Sequence, residues 1–205
     1  MRWPPARGAL EGRIVRLEPI EPAHRAGLEA AAREPETWTW IDRRIPGDES
    51  AFSAWFDARL AATRDGSEWC FVTRFLASGD PVGGSSYGNV RREHDGLVIG
   101  WTWLHPSAWR TGANVEAKLL MLAHAFEDLG CMRVEFKTDA RNERSRAALA
   151  GLPATFEGVF RKHMRVPPTR VRDSAYYSIV DDDWPQVKAH LSARLARAAE
   201  AAARA

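Results

Sequence analysis

Hydrophobic residues recur along the chain with two different periods, and the changes of period divide it into predicted strands and helices. Residues 13–20 alternate between apolar and polar as a strand does, and residues 51–62 place large apolar side chains at helical spacing. Between them, Pro22 suits the first turn of another helix. The first third of the chain is therefore predicted to form one strand followed by helices.

The middle third changes to short apolar runs that are separated by turn residues. Residues 69–76, 81–90 and 97–104 predict three strands, the second of which is interrupted by glycines. Residues 77–80 and 93–96 carry the turn signals between them. These segments together predict an antiparallel meander.

The last third returns to helical spacing and then alternates again. The predicted elements are a helix over 115–129 that stops at Gly130, a strand over 133–139, a helix over 143–150, a strand pair over 155–161 and 174–180 joined by a polar loop, and an Ala-rich helix that begins at 183–185. This order predicts an α+β domain with one central, mostly antiparallel sheet flanked by helices and a C-terminal helix.

Composition and charge narrow the class of protein. A chain of 205 residues that is 45% hydrophobic and 27% charged is typical of one globular domain. The net charge of +2 comes from mixed charges without a basic block, which argues against a nucleic-acid partner. The chain shows neither a signal peptide at its start nor an apolar run near the roughly 20 residues of a membrane span. We therefore expect a cytoplasmic protein that binds no membrane.

The cysteine content excludes two further classes of protein. Cys70 and Cys131 are too few for a disulfide framework or a structural zinc site, and both stand beside apolar residues. We expect both thiols to be buried and the protein to use no metal.

The stretch from Trp109 to Lys118, W-R-T-G-A-N-V-E-A-K, joins a predicted strand to a predicted helix. A helix N-terminus leaves its first N–H groups without backbone partners, and Gly112 allows a close backbone approach, so the turn suits a phosphate group. Arg110 adds a cation at its rim. The other interpretation is that Asn114 simply caps the helix. From these residues alone, capping is the favoured interpretation and phosphate binding stays open.

The surrounding segments resemble the GNAT superfamily of acyl-CoA-dependent N-acetyltransferases, and within it the ribosomal-protein N-terminal (RimJ/RimL-like) subgroup. The resemblance rests on L-E-G-R-I-V-R-L-E-P-I at 10–20, the 109–118 stretch, H-A-F-E at 124–127, R-V-E-F-K-T-D-A-R-N-E-R-S-R-A-A-L at 133–149, E-G-V-F-R at 157–161 and Y-Y-S-I at 176–179. It implies a GNAT domain over 10–190, an N-terminal extension over 1–9, and the end of the C-terminal helix over 191–205.

The resemblance also implies a co-substrate, acetyl-CoA, and the residues that bind it. The pyrophosphate is expected at the turn formed by Arg110, Thr111, Gly112, Ala113 and Asn114. The pantetheine arm is expected along the backbone of Trp103 and Leu104. Asn142 and Ser145 are expected beside the arm, near the thioester.

Acetyl transfer needs a group that accepts the proton of the amine and a group that protonates the departing thiolate. Ser145 is the predicted proton donor, although it is also an ordinary helix position after an Asn142 cap. The phenol of Tyr176 or Tyr177, with Tyr177 preferred, and the imidazole of His163 are the other predicted catalytic groups. For His163 an exposed surface position is the favoured interpretation, and Glu116 is interpreted as a carboxylate that complements the helix dipole.

The acceptor is predicted to be a primary amine, either a protein N-terminus or a small molecule such as an antibiotic or polyamine. An aromatic core is the favoured interpretation for most of the tryptophans. Trp38, Trp40 and Trp101 are nevertheless the predicted acceptor-binding residues, with Glu36 and Asp42 placed to attract a cationic amine. The departures of Trp109, Asn114 and Met164 from the family pattern motivate the alternative, an acyl-CoA-binding sensor or scaffold without turnover. A homodimer is the candidate assembly.

Overall fold

A computed structural model of the protein describes residues 1–5, 8–41, 44–166 and 169–203. Its strands are β1 Leu10–Glu11, β2 Val15–Pro19, β3 Trp69–Phe75, β4 Pro81–Arg91, β5 Gly96–Leu104, β6 Arg133–Asp139, β7 Thr155–Val166 and β8 Arg170–Val180. Its α-helices are α1 Arg25–Ala31, α2 Pro35–Trp38, α3 Glu49–Asp65, α4 Ala113–Ala123, α5 Glu143–Ala150 and α6 Trp184–Ala203. A π-helical turn, His124–Asp128, continues α4 to the glycine that ends it.

The strands form a single eight-stranded sheet in the order β1-β2-β3-β4-β5-β6-β8-β7. The only parallel neighbours among these described strands are β5 and β6, and every other adjacent pair is antiparallel. The connection between β5 and β6 runs through α4, as a parallel pair requires. The predicted α+β fold with a mostly antiparallel mixed sheet and a C-terminal helix is confirmed.

The parallel pair separates before either strand ends. The last paired residues are Val98 and Glu135, although β5 continues to Leu104 and β6 to Asp139. Trp101, just beyond this point, has a positive φ of 51°, and the register between β4 and β5 shifts nearby. Such an irregularity bends a strand and changes which side its next residues face. The two strands therefore enclose a cleft that opens through the sheet.

Helices cover both faces of the sheet, and each face has its own hydrophobic core. Along β3, Trp69 and Phe71 face the core that is shared with α4 and α6, whereas Cys70 and Val72 face the core that is shared with α1 to α3. This alternation follows from the two-residue period of a strand. Both cysteines are buried and free, as predicted.

The polar loop predicted between the last two strands is wrong, because most of it is strand. β7 extends to Val166 and β8 begins at Arg170, with Met164 paired to Arg172. The error has a physical cause: this ribbon is largely exposed along β7, so its polar residues give no hydrophobic alternation.

The predicted end of the domain does not coincide with the end of a helix. The domain boundary drawn after residue 190 falls inside α6, where Leu191 is fully buried in the core, and this division stays a prediction.

Among the described residues, no helix is long and apolar enough to span a bilayer.

Candidate functional site

The turn before α4 presents backbone amides at a helix N-terminus. Gly112 is the N-cap residue with a φ of 91°, and a Cβ added there would lie 2.9 Å from Ile14 Cδ1. The Ala113 amide donates to Thr111 Oγ1 at 3.3 Å, and Glu116 N donates to Gly112 O at 2.9 Å. Within the described chain, the amides of Asn114 and Val115 have no acceptor, so the turn offers free N–H donors at the positive end of the helix dipole.

The predicted capping role of Asn114 is wrong. The helix begins one residue earlier, at Ala113, and its N-cap is Gly112 in the left-handed region. Asn114 therefore lies inside the first turn, where its own backbone is already helical and its side chain does not cap. Its proximity to a bound phosphate stays a prediction.

Arginine side chains surround this turn. Arg110 is exposed and has a positive φ of 63°, a conformation that costs energy for a residue with a Cβ. Arg144, on α5, stacks over the Trp109 indole with its Cζ 3.9 Å from the ring centroid. Trp109, which departs from the family pattern, thus orients a second cation beside the turn, and its Nε1 donates to Leu104 O at 2.9 Å.

Glu116 lies beneath the turn and has a role that the sequence did not reveal. Its side chain is 5% exposed and its carboxylate accepts the backbone N–H groups of Arg13, Ile14 and Val15 at 2.8, 2.7 and 2.8 Å. These three hydrogen bonds therefore join the start of β2 to α4. Because Ile14 lies next to Gly112, they also fix the position of the side chain beneath the turn.

The free edge of β5 lines the cleft between β5 and β6. His105 N donates to Val82 O at 2.7 Å, and a Cβ on Gly83 would lie 2.1 Å from Trp103 O, so Trp103 directs its backbone groups towards β4. Thr102 and Leu104, in the alternate positions, direct theirs towards the cleft. Of the two residues predicted to contact a pantetheine arm, Leu104 presents its backbone to the cleft, with its carbonyl already bonded to Trp109.

Asn142 and Ser145 begin the helix that follows β6. Asn142 is 8% exposed and its Oδ1 accepts the Ser145 N–H at 3.0 Å, which makes it the N-cap of α5. The Ser145 side chain is half-buried and its hydroxyl has no partner in the described chain. Both residues lie at the end of β6 that borders the cleft.

A buried lysine lies on the α4 side of the cleft wall. Lys118 Nζ donates to Ser85 Oγ at 2.9 Å and to Thr102 Oγ1 at 2.7 Å, and these two hydroxyls bond each other at 2.7 Å. Burial lowers the pKa of Lys118 to about 7. Sequence analysis missed this residue because a lysine in a helix is ordinarily solvated, and only the fold shows which face it occupies.

The three predicted acceptor-binding tryptophans lie in different environments. Trp38 is fully buried, with Nε1 donating to Ala32 O at 2.8 Å and its ring 4.8 Å from that of Trp103. Trp40 and Trp101 are half-buried on the same face, and Trp40 lies between two arginine side chains. The accompanying carboxylates are less informative: Glu36 is exposed, and Asp42 lies outside the described residues.

The predicted catalytic tyrosine and histidine lie on opposite faces of the sheet. Tyr177 is 5% exposed in the core shared with α4 and α6, where its hydroxyl accepts from Arg146 Nε at 3.1 Å. Its neighbour Tyr176 faces the other way and lies 3.2 Å from His163 Nε2. Burial, followed by the charges of Lys137 and Arg172, lowers the pKa of His163, which keeps the imidazole neutral near pH 7.

A separate cavity of about 510 Å³ lies at the far side of the sheet, beside β2 and α3. Glu18, one of its lining residues, already has partners: its Oε2 lies 2.9 Å from His24 Nε2 and accepts from Arg74 Nη1 at 3.2 Å. Although burial alone would raise the pKa of Glu18, these hydrogen bonds lower it and keep the carboxylate ionised. This cavity lies away from the cleft, and its central carboxylate is already bonded.

The described residues fit a CoA thioester at the cleft. Free amides at the α4 N-terminus, with Arg110 and Arg144 beside them, suit a pyrophosphate, and the unpaired edge of β5 suits the amides of a pantetheine arm. Among the described residues, no group of three or more His, Cys, Asp or Glu side chains could hold a metal ion.

Comparisons with known proteins agree with this geometry. The family model described as an acetyltransferase (GNAT) domain matches residues 15–152. A GCN5-related N-acetyltransferase from Brucella melitensis is 32% identical, with a TM-score of 0.85 over 92% of this chain and 86% of that one. RimJ of Mycobacterium smegmatis, solved in complex with CoA-disulfide, is 25% identical, with a TM-score of 0.75 over 94% of this chain and 95% of its own.

A curated relative matches a shorter part of the chain. The FsC-acetyl coenzyme A-N(2)-transacetylase of Aspergillus fumigatus is 35% identical over 80 residues, which are 38% of this chain. The match spans only 34% of that protein's length. Because the match is short, the acceptor of that enzyme is not assigned to this chain.

Proposed function

Because the chain belongs to the GNAT acetyltransferase family, whose members are acetyl-CoA-dependent N-acetyltransferases, we propose that it transfers the acetyl group to a primary amine by direct attack on the thioester. The separation of β5 from β6 next to the free amides of α4 is the observation on which this proposal rests. The turn from Thr111 to Asn114, with Arg110 beside it, binds the pyrophosphate through the free N–H groups of Asn114 and the adjoining Val115. The free edge of β5 at Thr102 and Leu104 binds the pantetheine arm.

The state of the cysteines favours direct attack over an acetyl-enzyme intermediate. Cys70 and Cys131 are both buried, and burial raises the pKa of each thiol to about 11. A covalent route through cysteine requires an accessible thiolate. Neither thiol meets this requirement, so the amine itself is the nucleophile.

The proposed reaction forms one bond and breaks one. The amine nitrogen bonds to the thioester carbonyl carbon, the C–S bond breaks, the nitrogen loses a proton and the CoA thiolate gains one. Ser145 at the start of α5, whose hydroxyl has no partner in the described chain, donates to the thiolate. Neutral His163 accepts the proton from the amine, directly or through water.

The positions of the two tyrosines favour Tyr176 over Tyr177 as the catalytic phenol. Tyr176, which contacts His163 on the α1–α3 face, is the phenol that we propose to assist the proton acceptor. The role first predicted for Tyr177 stays a prediction, since its hydroxyl is held in the core by Arg146. Trp40 and Trp101 border the acceptor on the same face as His163.

The likeness to mycobacterial RimJ supports a place near the ribosomal-protein acetyltransferases, and with it a cytoplasmic reaction. A protein N-terminus and a small amine both remain acceptors to be assayed, because one scaffold serves many substrates.

Thiol release from acetyl-CoA tests the proposal. The release is followed with a thiol reagent while peptides with N-terminal Ser or Ala, polyamines and aminoglycosides are supplied, and each acceptor is checked by mass for one added acetyl group. The buried cysteines of the folded protein will not contribute to the signal. We expect at least one amine to raise thiol release above the rate of hydrolysis, and Ser145→Ala to lower kcat by about 10-fold or more.

The alternative function, an acyl-CoA sensor or scaffold, makes a different prediction. It requires that acetyl-CoA raise the melting temperature while no amine increases thiol release and Ser145→Ala changes nothing. That combination would refute the enzymatic proposal.

A further inference from the structure

Two cationic side chains on the α1–α3 face of the cleft have no carboxylate partner among the described residues. Lys137 lies on β6, beyond its last pairing with β5, and its Nζ is 5.9 Å from the centroid of the Trp101 ring across the cleft. Arg172 lies on β8 on the same face. Its Nε donates to Ser174 Oγ at 2.9 Å, and its Nη2 is buried with no hydrogen-bond partner in the part of the chain that the structure describes.

The neighbouring cations on this face are paired, which makes these two exceptional. Asp139, whose side chain is fully buried, binds both Arg141 and Arg170. Further along the sheet, Glu135 binds Arg91 at 2.8 Å and Arg133 at 2.9 Å, and across the cleft Glu68 binds Arg59. Glu135 and Glu68 act on Lys137, and Asp139 on Arg172, only at longer range. A partly buried charge without a direct ion pair is costly, so two such cations indicate a place for an anion.

The pKa shifts of the two cations agree with their partly buried position. Burial lowers the pKa of Lys137 and the charge of Arg172 lowers it further, while Glu135 and Glu68 act in the opposite direction. Burial is also the main reason for the lowered pKa of Arg172, which the charge of Asp139 partly offsets. An arriving carboxylate would relieve both effects, and its two oxygens suit a guanidinium that has a free N–H group.

The groups around the two cations are neutral and can form hydrogen bonds. His163 and Tyr176 lie beside the cations, and neither carries a charge that would compete with them near pH 7. Trp101 is held flat against β4 because Gly88 has no side chain: a Cβ there would lie 2.6 Å from the indole. The Trp101 indole and the two cations thus lie on the same face of the sheet.

We propose that Lys137 and Arg172 bind a carboxylate carried by the acceptor, so that the preferred acceptor is an amine with a carboxylate on the same molecule. The inference rests on the proposed function, since it assumes that this face of the cleft receives the amine. It also replaces the expectation that Glu36 and Asp42 attract a purely cationic amine. The carboxylate comes either from a free amino acid or from an acidic side chain near a peptide N-terminus.

Matched acceptors that differ only in the carboxylate test this proposal. Glycine is compared with glycinamide, and the C-terminally amidated peptide Ser-Glu-Ala with amidated Ser-Gln-Ala, by kcat/KM for thiol release. We expect the carboxylate member of one pair to be favoured by about 10-fold or more, the usual scale of a charge-assisted interaction. The pair that shows the preference identifies the source of the carboxylate.

Variants that remove one positive charge test whether Lys137 and Arg172 cause the preference for the carboxylate acceptor. Lys137→Gln and Arg172→Gln are expected to reduce the carboxylate-to-amide ratio towards one. Arg25→Gln is the matched control, because it removes a cation on the α1–α3 side that is already paired with Asp57 and contacts none of the proposed acceptor-binding residues, and the ratio should persist. Equal kcat/KM for both members of each pair, or a ratio that survives both variants, would overturn the inference while leaving acetyl transfer intact.

A binding measurement separates failure of this inference from failure of the proposed function. N-acetylglycine carries the carboxylate but no free amine, and its uncharged counterpart is N-acetylglycinamide. In an NMR titration, N-acetylglycine should shift the His163 ring signals saturably in the wild type but not in Arg172→Gln, and N-acetylglycinamide should not. If no amine is acetylated, a saturable shift still supports the anion site, whereas no shift refutes it.

Discussion

Replacing Glu116 by alanine tests the contact that joins the start of β2 to the phosphate-binding turn. The carboxylate is 5% exposed and accepts backbone N–H groups from Arg13, Ile14 and Val15 at 2.7 to 2.8 Å. Alanine removes the acceptor of all three donors at once. Because these donors are more than a hundred residues away in sequence, the loss detaches one part of the sheet from α4.

The expected cost follows from the number and type of these bonds. A hydrogen bond to a charged group contributes about 1.5–3 kcal/mol, and an unsatisfied buried donor costs about 1–3 kcal/mol. Water entering the space will satisfy part of the loss, so we expect Glu116→Ala to lower the free energy of unfolding by about 3–5 kcal/mol. Glu116→Gln keeps one acceptor oxygen and should cost about 1.5–3 kcal/mol.

Urea unfolding at pH 7, followed by circular dichroism, measures both changes against a matched control. Glu143 also occupies the first turn of a helix but is exposed, so Glu143→Ala should cost only about 0.3–1 kcal/mol through the helix dipole. If Glu116→Ala costs no more than Glu143→Ala, Glu116 merely complements the dipole, as the sequence suggested, and the anchoring role is refuted.

Three further changes have defined outcomes. Burial lowers the pKa of Lys118 to about 7 from 10.5 in the unfolded chain. From about pH 7 to 10 the unfolded state therefore binds more protons, and the stability of the wild type should rise by up to about 1.4 kcal/mol per pH unit relative to Lys118→Met. Equal pH slopes of the two proteins in urea unfolding would contradict this. Gly88→Val should displace the Trp101 indole and raise the acceptor KM without changing the calorimetric Kd for acetyl-CoA; an unchanged KM would place the acceptor elsewhere. Trp109→Phe removes the hydrogen bond to Leu104 O and should raise the Kd for acetyl-CoA about 3- to 10-fold. An unaltered Kd for acetyl-CoA would show that this bond does not shape the cleft.

The elements with a strong hydrophobic period were predictable from sequence. The strand predicted over 133–139 is Arg133–Asp139, and the helix predicted over 143–150 is Glu143–Ala150. In both segments, the spacing of apolar residues or the Asn142 cap determines the local structure. The β7–β8 ribbon was only partly predictable, because β7 is largely exposed and mixes apolar with polar side chains, so no buried face sets a period.

The polar residues of α4 were beyond sequence reasoning for a different reason. Glu116 and Lys118 look like ordinary solvated helix positions, yet they are 5% and 4% exposed. Their partners lie on β2, β4 and β5, and a local pattern carries no information on which strands a helix will cover. Likewise, only the pairing of β6 with β8 shows that Lys137 and Arg172, which have no direct ion pair among the described residues, lie on one face.

Calorimetric titration of acetyl-CoA into the wild type and three glycine variants tests the central claim, that the turn at Gly112 binds the CoA pyrophosphate. Gly112→Asp puts a carboxylate at the turn, Gly112→Ala gives a similar contact with Ile14 without charge, and Gly130→Asp makes the same substitution at another positive-φ glycine, in open space. We predict that binding is lost in Gly112→Asp, weakened in Gly112→Ala and retained in Gly130→Asp. Wild-type affinity in a folded Gly112→Asp variant would contradict the account.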